Sequence, residues 1–250
     1  MERDLKKIVS EMTLEEKAGM CSGLDFWHLK EVEHLGIPKV MVSDGPHGLR
    51  KQDEKGDHLG INDSIKAVCF PPAVLSACSF DRGLMEEMGK AIGREAQAND
   101  VSVVLGPAVN IKRSPLCGRN FEYYSEDPYL SGMLAAAVIR GVQSKSGCGV
   151  TIKHFACNNQ EFKRHDANAI VSERALREIY LKGFEIAVKQ GGAYSIMSTY
   201  GPVNGLWTAG SYDLLTTILR KEWGYQGIVM TDWWAKINEE GESGSKSQTV

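Results

Sequence analysis

The apolar run Ile228-Val229-Met230-Thr231 ends in Asp232-Trp233-Trp234, so a segment with strand character delivers one carboxylate and two indoles to its tip. A carboxylate beside aromatic surface loses hydration, which costs free energy unless partners or a chemical task hold it there. Asp232 is therefore the first candidate for chemistry. Other strand-like segments end in a similar way. Asp44 follows Val40-Met41-Val42-Ser43, a loop carrying Arg113 and Arg119 follows Val101 to Leu105, Lys153-His154 lie near the end of Gly149 to Phe155, and Tyr200 follows Ala193 to Thr199. Each residue alone has a bland reading as a helix cap or loop anchor. Together they imply one convergent pocket, provided the strands are parallel and their C-terminal ends share a rim.

The neighbours of these residues suggest how such a pocket would be furnished. Strict alternation along a strand sends Lys153 and His154 to opposite faces, whereas a bend at the strand end lets both reach the pocket. The stretch Gly118-Arg119-Asn120-Phe121-Glu122-Tyr123-Tyr124-Ser125-Glu126-Asp127 is dense in charge and aromatic groups. Arg119 can make paired hydrogen bonds to vicinal hydroxyls or to a carboxylate, while Arg113, Glu122 and Glu126 are assigned to bracing the loop through ion pairs. Trp207, Trp233 and Trp234 offer apolar faces with a polar tip, core packing being the default for any one tryptophan.

Helices must connect and position these strands. Thr13-Leu14-Glu15-Glu16 has capping-box spacing and starts a short helix through about Met20. Residues from about 81 to 98 read as a helix with Leu84, Met88, Ala91 and Ile92 on one face. Asp127-Pro128 supplies an N-cap and an N1 proline for a helix containing Leu134 and Val138. Ser172 caps a helix carrying Leu176, Tyr180, Phe184 and Ala187 until Gly191-Gly192, and a further helix spans about 212–222. Strands alternating with helices imply a parallel sheet, because parallel neighbours need a crossover that a helix fills. An α/β barrel and a doubly wound sheet both satisfy this pattern.

Composition narrows the function classes. The 250 residues are 42% hydrophobic and 24% charged, with a formal charge of -3, so there is no basic footprint for nucleic acid. No run approaches the ~20 apolar residues of a membrane span, and the N-terminus has no signal-like apolar region, which together predict a cytoplasmic protein. Cysteines stand at 21, 69, 78, 117, 148 and 157 without a CxxC pair, and a lone His154-x-x-Cys157 is no metal framework, so reduced thiols and no metal are expected. Neither GxGxxG nor GxxxxGK[ST] is present, nor HExxH or GxSxG, which argues against hydride and phosphoryl transfer. No cofactor is expected.

Six segments, in order, carry a resemblance: Ser43-Asp44-Gly45-Pro46-His47-Gly48-Leu49-Arg50, Gly118 to Glu122, Lys153-His154-Phe155, Asn158-Asn159-Gln160-Glu161, Ser172 to Glu178, and Met230-Thr231-Asp232-Trp233. Together they resemble the N-terminal barrel domain of family 3 glycoside hydrolases, particularly β-glucosidases, from about Thr13 to Ala235. The resemblance implies a TIM-like (β/α) barrel over residues 1–237, followed by a polar tail, 238–250, that reads as loop or disordered. It also implies retaining hydrolysis of a terminal β-linked sugar, with Asp232 as the nucleophile of a glycosyl-enzyme and a β-glucoside or short oligosaccharide as the partner. Asp44, Arg119, Lys153 and His154 match positions that hold sugar hydroxyls, and Tyr200 matches one beside the nucleophile. Cationic neighbours are expected to keep Asp232 ionised. In Thr199-Tyr200-Gly201-Pro202 a glycine stands where that family more usually has asparagine.

In the glucosidase branch the general acid is a glutamate of a second domain, which these residues do not include. The hexosaminidase branch places a His-Asp acid/base on the loop after the Lys-His-Phe motif, where this chain has only the adjacent His165-Asp166. Five strands, with a short extra one near Val68 to Phe70, fall short of the eight that close a barrel. The expectation is a barrel incomplete at its C-terminus, whose open edge favours association. A sugar-binding or partner-binding remnant without turnover is the alternative.

Overall fold

The computed structural model describes residues 4–52 and 64–236. Its main sheet has six strands in the order β1-β2-β3-β4-β5-β8, where β1 is His28–Leu29, β2 Val40–Asp44, β3 Val103–Leu105, β4 Gly149–Phe155, β5 Ser195–Ser198 and β8 Ile228–Thr231. β1 joins antiparallel at one edge, and the other five strands run parallel as a curled half-barrel. This is the TIM-like arrangement, with five parallel strands among the described residues. β6 (Pro202–Val203) and β7 (Leu206–Trp207) form a separate hairpin.

The crossovers follow from local sequence. α1 (Leu5–Glu11) precedes α2 (Leu14–Met20), and α2 begins with the capping box expected at Thr13 and Glu16. A short α3 (Ala73–Ala77) leads to α4 (Arg82–Ala98), capped by the Asp81 side chain, and α5 (Pro128–Gln143) is capped by Asp127 with proline in its first turn. The buried face of α4 consists of Met85, Met88, Gly89, Ile92, Gly93 and Ala96, while Leu84 is exposed, contrary to the expected face. Gly89 and Gly141 let α4 and α5 meet backbone to backbone, since a Cβ on Gly141 would lie 2.2 Å from the Glu86 carbonyl oxygen. The helical stretch 173–191 alternates α turns (Glu173–Ala175, Lys182–Ile186) with π turns (Leu176–Tyr180, Ala187–Gly191), and Gly192 ends it in the left-handed region. Asp213–Glu222 is wholly π-helical.

Side chains on the helix-facing side of the sheet, such as Val104, Val150, Ile152 and Ile196, join the main apolar core with α4 and α5. Val42, Leu105 and Met197 point the other way and pack with Trp27, Met230 and Trp233 inside the half-barrel. β4 and β5 are buried throughout, whereas β8 is partly open and its Ile228 is 58% exposed.

Two further expectations need correction. No strand forms at Val68 to Phe70: the Val68 N–H binds the Glu95 carboxylate and the Phe70 N–H binds the His47 carbonyl, so neither joins a ladder. The β3 segment begins at Val103 rather than Val101, because the Val101 N–H closes the end of α4 on Ala96. The tail at 238–250 lies outside the described residues.

Candidate active site

The parallel register places the strand ends on one rim. Asp44 is the last residue of β2, and Asp232 follows β8 with its N–H on the Ser198 carbonyl at 3.2 Å. On β4 the pairing with β5 shifts between Ile152 and Phe155, and the Lys153–His154 and Phe155–Ala156 peptides are cis. Lys153 and His154 both reach the rim despite being neighbours in sequence. Lys153 Nζ donates to Asp44 Oδ1 at 2.8 Å, and His154 Nε2 lies 3.9 Å from Asp232 Oδ2. Tyr200, two residues beyond β5, lies beside Asp232, close enough for its hydroxyl to favour the carboxylate form.

Asp232 is held from several sides. Its residue is 8% exposed, and Oδ1 accepts the Trp233 N–H at 2.9 Å. Burial raises its pKa above the ordinary 3.8 and outweighs the Arg119 and Lys153 charges, the Trp233 N–H and the Tyr200 hydroxyl, all of which pull the other way. The cationic neighbours are present as expected, yet desolvation wins. Asp44 shows the opposite balance: burial would raise its pKa, but Lys153, with Arg50 and Arg119 behind it, holds the carboxyl below the usual value. Two carboxylates on one rim are thus driven apart, Asp44 toward permanent ionisation and Asp232 toward easier protonation.

Burial, reinforced by Arg119, Lys153 and Arg164, pushes His154 well below its ordinary pKa and keeps the imidazole neutral. Its proximity to Asp232 is therefore not an ion pair. Arg119 is turned by Glu122, which is 3% exposed and accepts from Arg119 Nε. Glu122 braces the loop as assigned, but through the arginine assigned to the ligand. With Nε occupied, the terminal guanidinium nitrogens are the ones available to a bound molecule.

A second ring of residues stands behind these, including Asn110, Tyr123 and Arg164, which the sequence reading gave no place in the site. The Asn110 side chain holds the His154 peptide at both ends, its Oδ1 accepting the His154 N–H and its Nδ2 donating to the His154 carbonyl, each at 2.8 Å. The Tyr123 hydroxyl is 3.3 Å from His154 Nδ1, and Asn158 Nδ2 donates to it at 2.8 Å. Arg164 lies over the Tyr200 ring at 4.7 Å, and the His165 ring packs on the same tyrosine at 4.1 Å. The density of polar groups in 118–127 and 158–166 was the available signal.

Trp233 joins Phe26 and Trp27 in an aromatic cluster and donates from Nε1 to the Phe26 carbonyl at 3.1 Å. Trp234 contacts Phe26 but remains largely exposed, and Trp207 lies beneath the Lys236 ammonium. His165 and Asp166 form no dyad: Asp166 pairs with Lys236 while His165 stacks on Tyr200, and no hydrogen bond joins the two among the described residues. All six cysteines are free, and no group of metal-ligating side chains occurs among the described residues. No described helix is long and apolar enough to cross a membrane.

Residues 30–250 match the model of the glycosyl hydrolase family 3 N terminal domain. The chain belongs to glycoside hydrolase family 3. This family 3 chain is 57% identical over 232 residues to thermostable beta-glucosidase B of Acetivibrio thermocellus, covering 93% of the chain and 31% of that protein. It is 50% identical over 228 residues to an exo-alpha-(1->6)-L-arabinopyranosidase of Bifidobacterium longum, covering 91% of the chain and 30% of that protein. Its fold superposes on beta-glucosidase 3B of Thermotoga neapolitana, solved in complex with alpha-D-glucose, with a TM-score of 0.87 at 43% identity, covering 94% of this chain and 34% of that one. The chain thus spans about a third of the length of each of these three relatives.

Proposed function

We propose that this chain carries the nucleophile and most of the sugar subsite of a retaining β-glucosidase. The observation that carries the proposal is the placement of Asp232 beside Tyr200 and His154, on the same rim as the Asp44–Lys153 pair. One carboxylate oxygen of Asp232 is the attacking atom, Oδ1 also accepting the Trp233 N–H. Its lone pair forms a bond to the anomeric carbon while the bond from that carbon to the leaving oxygen breaks. Water then cleaves the resulting ester and returns Asp232 as a carboxylate. Asp44, Lys153, His154 and the outer nitrogens of Arg119 hold the hydroxyls of the terminal sugar, and Tyr200 steadies the carboxylate.

We assign residues 1–237 to one barrel-type unit. The resemblance places the general acid outside that unit, so residues 1–237 taken alone are not expected to protonate the leaving oxygen. Loss of general acid catalysis costs typically 10²- to 10⁴-fold, an order-of-magnitude range, so turnover of unactivated glucosides is expected to be weak while activated ones still react. The relatives include both a glucosidase and an arabinopyranosidase, and the glucoside reading follows the more similar of these two.

An activated 2-fluoroglucoside tests the assignment, because it forms a long-lived ester with the nucleophile. Mass spectrometry of the digested chain is expected to find the label on Asp232. A label on any other residue refutes the role given to Asp232. Calorimetric glucose binding without labelling or nitrophenol release would favour a sugar-binding remnant.

A further inference from the structure

The His154 ring has two nitrogens in different surroundings. Nε2 faces the rim, 3.9 Å from Asp232 Oδ2, while Nδ1 faces inward, 3.3 Å from the Tyr123 hydroxyl. The residue is 2% exposed, so water does not choose which nitrogen carries the proton of the neutral ring. The choice falls to the hydroxyl, and that hydroxyl is part of a chain.

The chain starts at Arg164, whose guanidinium donates to Glu161 Oε2 at 3.1 Å. Glu161 Oε1 accepts from Asn158 Nδ2 at 2.9 Å, and the same Nδ2 donates to the Tyr123 oxygen at 2.8 Å. Both amide hydrogens of Asn158 are thereby used. Turning this amide over would set its carbonyl oxygen against the Glu161 carboxylate, so the network determines the orientation. Because the Tyr123 oxygen accepts from Asn158, its own proton is left to donate, and Tyr123 is fully buried. The acceptor within reach is His154 Nδ1.

We propose that Tyr123, oriented by the Asn158–Glu161–Arg164 relay, fixes His154 as the tautomer protonated at Nε2, making that nitrogen an obligatory hydrogen-bond donor to the ligand. Tyr123 and Asn158 are then positioning residues that act through His154. An oxygen seated between Nε2–H and Asp232 Oδ2 must accept from the first and donate to the second. A free sugar hydroxyl does both, whereas the oxygen of a methyl ether can only accept. The relay thus makes the pocket selective for a sugar with an unsubstituted hydroxyl at this point. This ligand preference rests on the glucoside reading above; the tautomer does not.

Long-range proton–nitrogen correlation spectra of the 250-residue chain with isotope-labelled histidine read the tautomer directly, and the His154→Gln variant assigns the signal. The expected result is a neutral ring protonated at Nε2. In Asn158→Asp the new carboxylate accepts a hydrogen bond from the Tyr123 O–H, so the tyrosine oxygen accepts from the ring and the ring proton moves to Nδ1. In Tyr123→Phe the preference for Nε2 weakens. By calorimetry, glucose is expected to bind about tenfold more weakly to Asn158→Asp, the scale of one lost hydrogen bond. A wild-type ring protonated at Nδ1, or at both nitrogens, overturns the proposal even if no variant folds, and so does a tautomer unchanged in both folded variants. If glucose fails to bind a wild-type chain whose His154 is protonated at Nε2, the glucoside reading falls and the tautomer assignment stands.

Discussion

Replacing Lys153 with methionine removes a cation whose side chain is 5% exposed and whose Nζ donates to Asp44 Oδ1 at 2.8 Å. At that separation and an effective dielectric constant of about 20, the gross Coulomb attraction is roughly 6 kcal/mol, before the cost of desolvating both ions. Breaking a buried pair from one side costs roughly 3 to 5 kcal/mol, because the remaining charge is stranded. Asp44 retains 30% side-chain exposure, so water can recover part of its solvation, and the lower end, about 3 kcal/mol, applies to Lys153→Met. Asp44→Asn strands the more deeply buried lysine and should cost at least as much. The double variant strands neither charge and should be clearly less destabilised than the sum of the singles, with a coupling of about 2 kcal/mol or more. Urea unfolding followed by circular dichroism measures all four corners of the cycle. A coupling below about 0.5 kcal/mol would show that the two side chains do not support each other, and the central ion pair of the rim would have to be abandoned.

Two further outcomes follow from the geometry. Since the folded-state pKa of Asp232 is raised, its stabilising contribution is complete below 3.8 and is lost as pH rises through the raised value. Asp232→Asn should therefore unfold at higher urea than wild type at neutral pH, with the gap closing in acid, while losing 2-fluoroglucoside labelling; a gap independent of pH would contradict the burial argument. Gly141→Ala places a methyl 2.2 Å from the Glu86 carbonyl oxygen and must push α4 from α5, at a cost of about 1 to 3 kcal/mol in thermal or urea unfolding, and an unaltered midpoint would disprove the tight contact.

Much of the architecture was legible because the buried parallel strands are written as short apolar runs. β4 and β8 fall on the expected residues, since nothing competes with ladder pairing there. Val68 to Phe70 is equally apolar at its ends but is claimed by Glu95 and His47, a tertiary choice that periodicity does not encode. The β6–β7 hairpin went unread although Asn204-Gly205 signals a two-residue turn, and both residues have positive φ. Strand-end polarity located the rim residues Asp44, Lys153, His154, Tyr200 and Asp232. It did not reveal that Arg119 is partly engaged by Glu122, which depends on the local turn at 119–122, nor that burial outweighs neighbouring cations at Asp232, which depends on how deeply segments far apart in sequence enclose it.

β8 pairs with β5 on one side only among the described residues, and Asp232 is the first residue beyond it. The proposed nucleophile is therefore mounted on the softest wall of the chamber, where amide exchange should be fastest among the parallel strands. Any segment that pairs with the flank of β8 left open among the described residues will stiffen the aim of the Asp232 carboxylate, so the proposed reactivity is tied to how firmly this one rib is gripped.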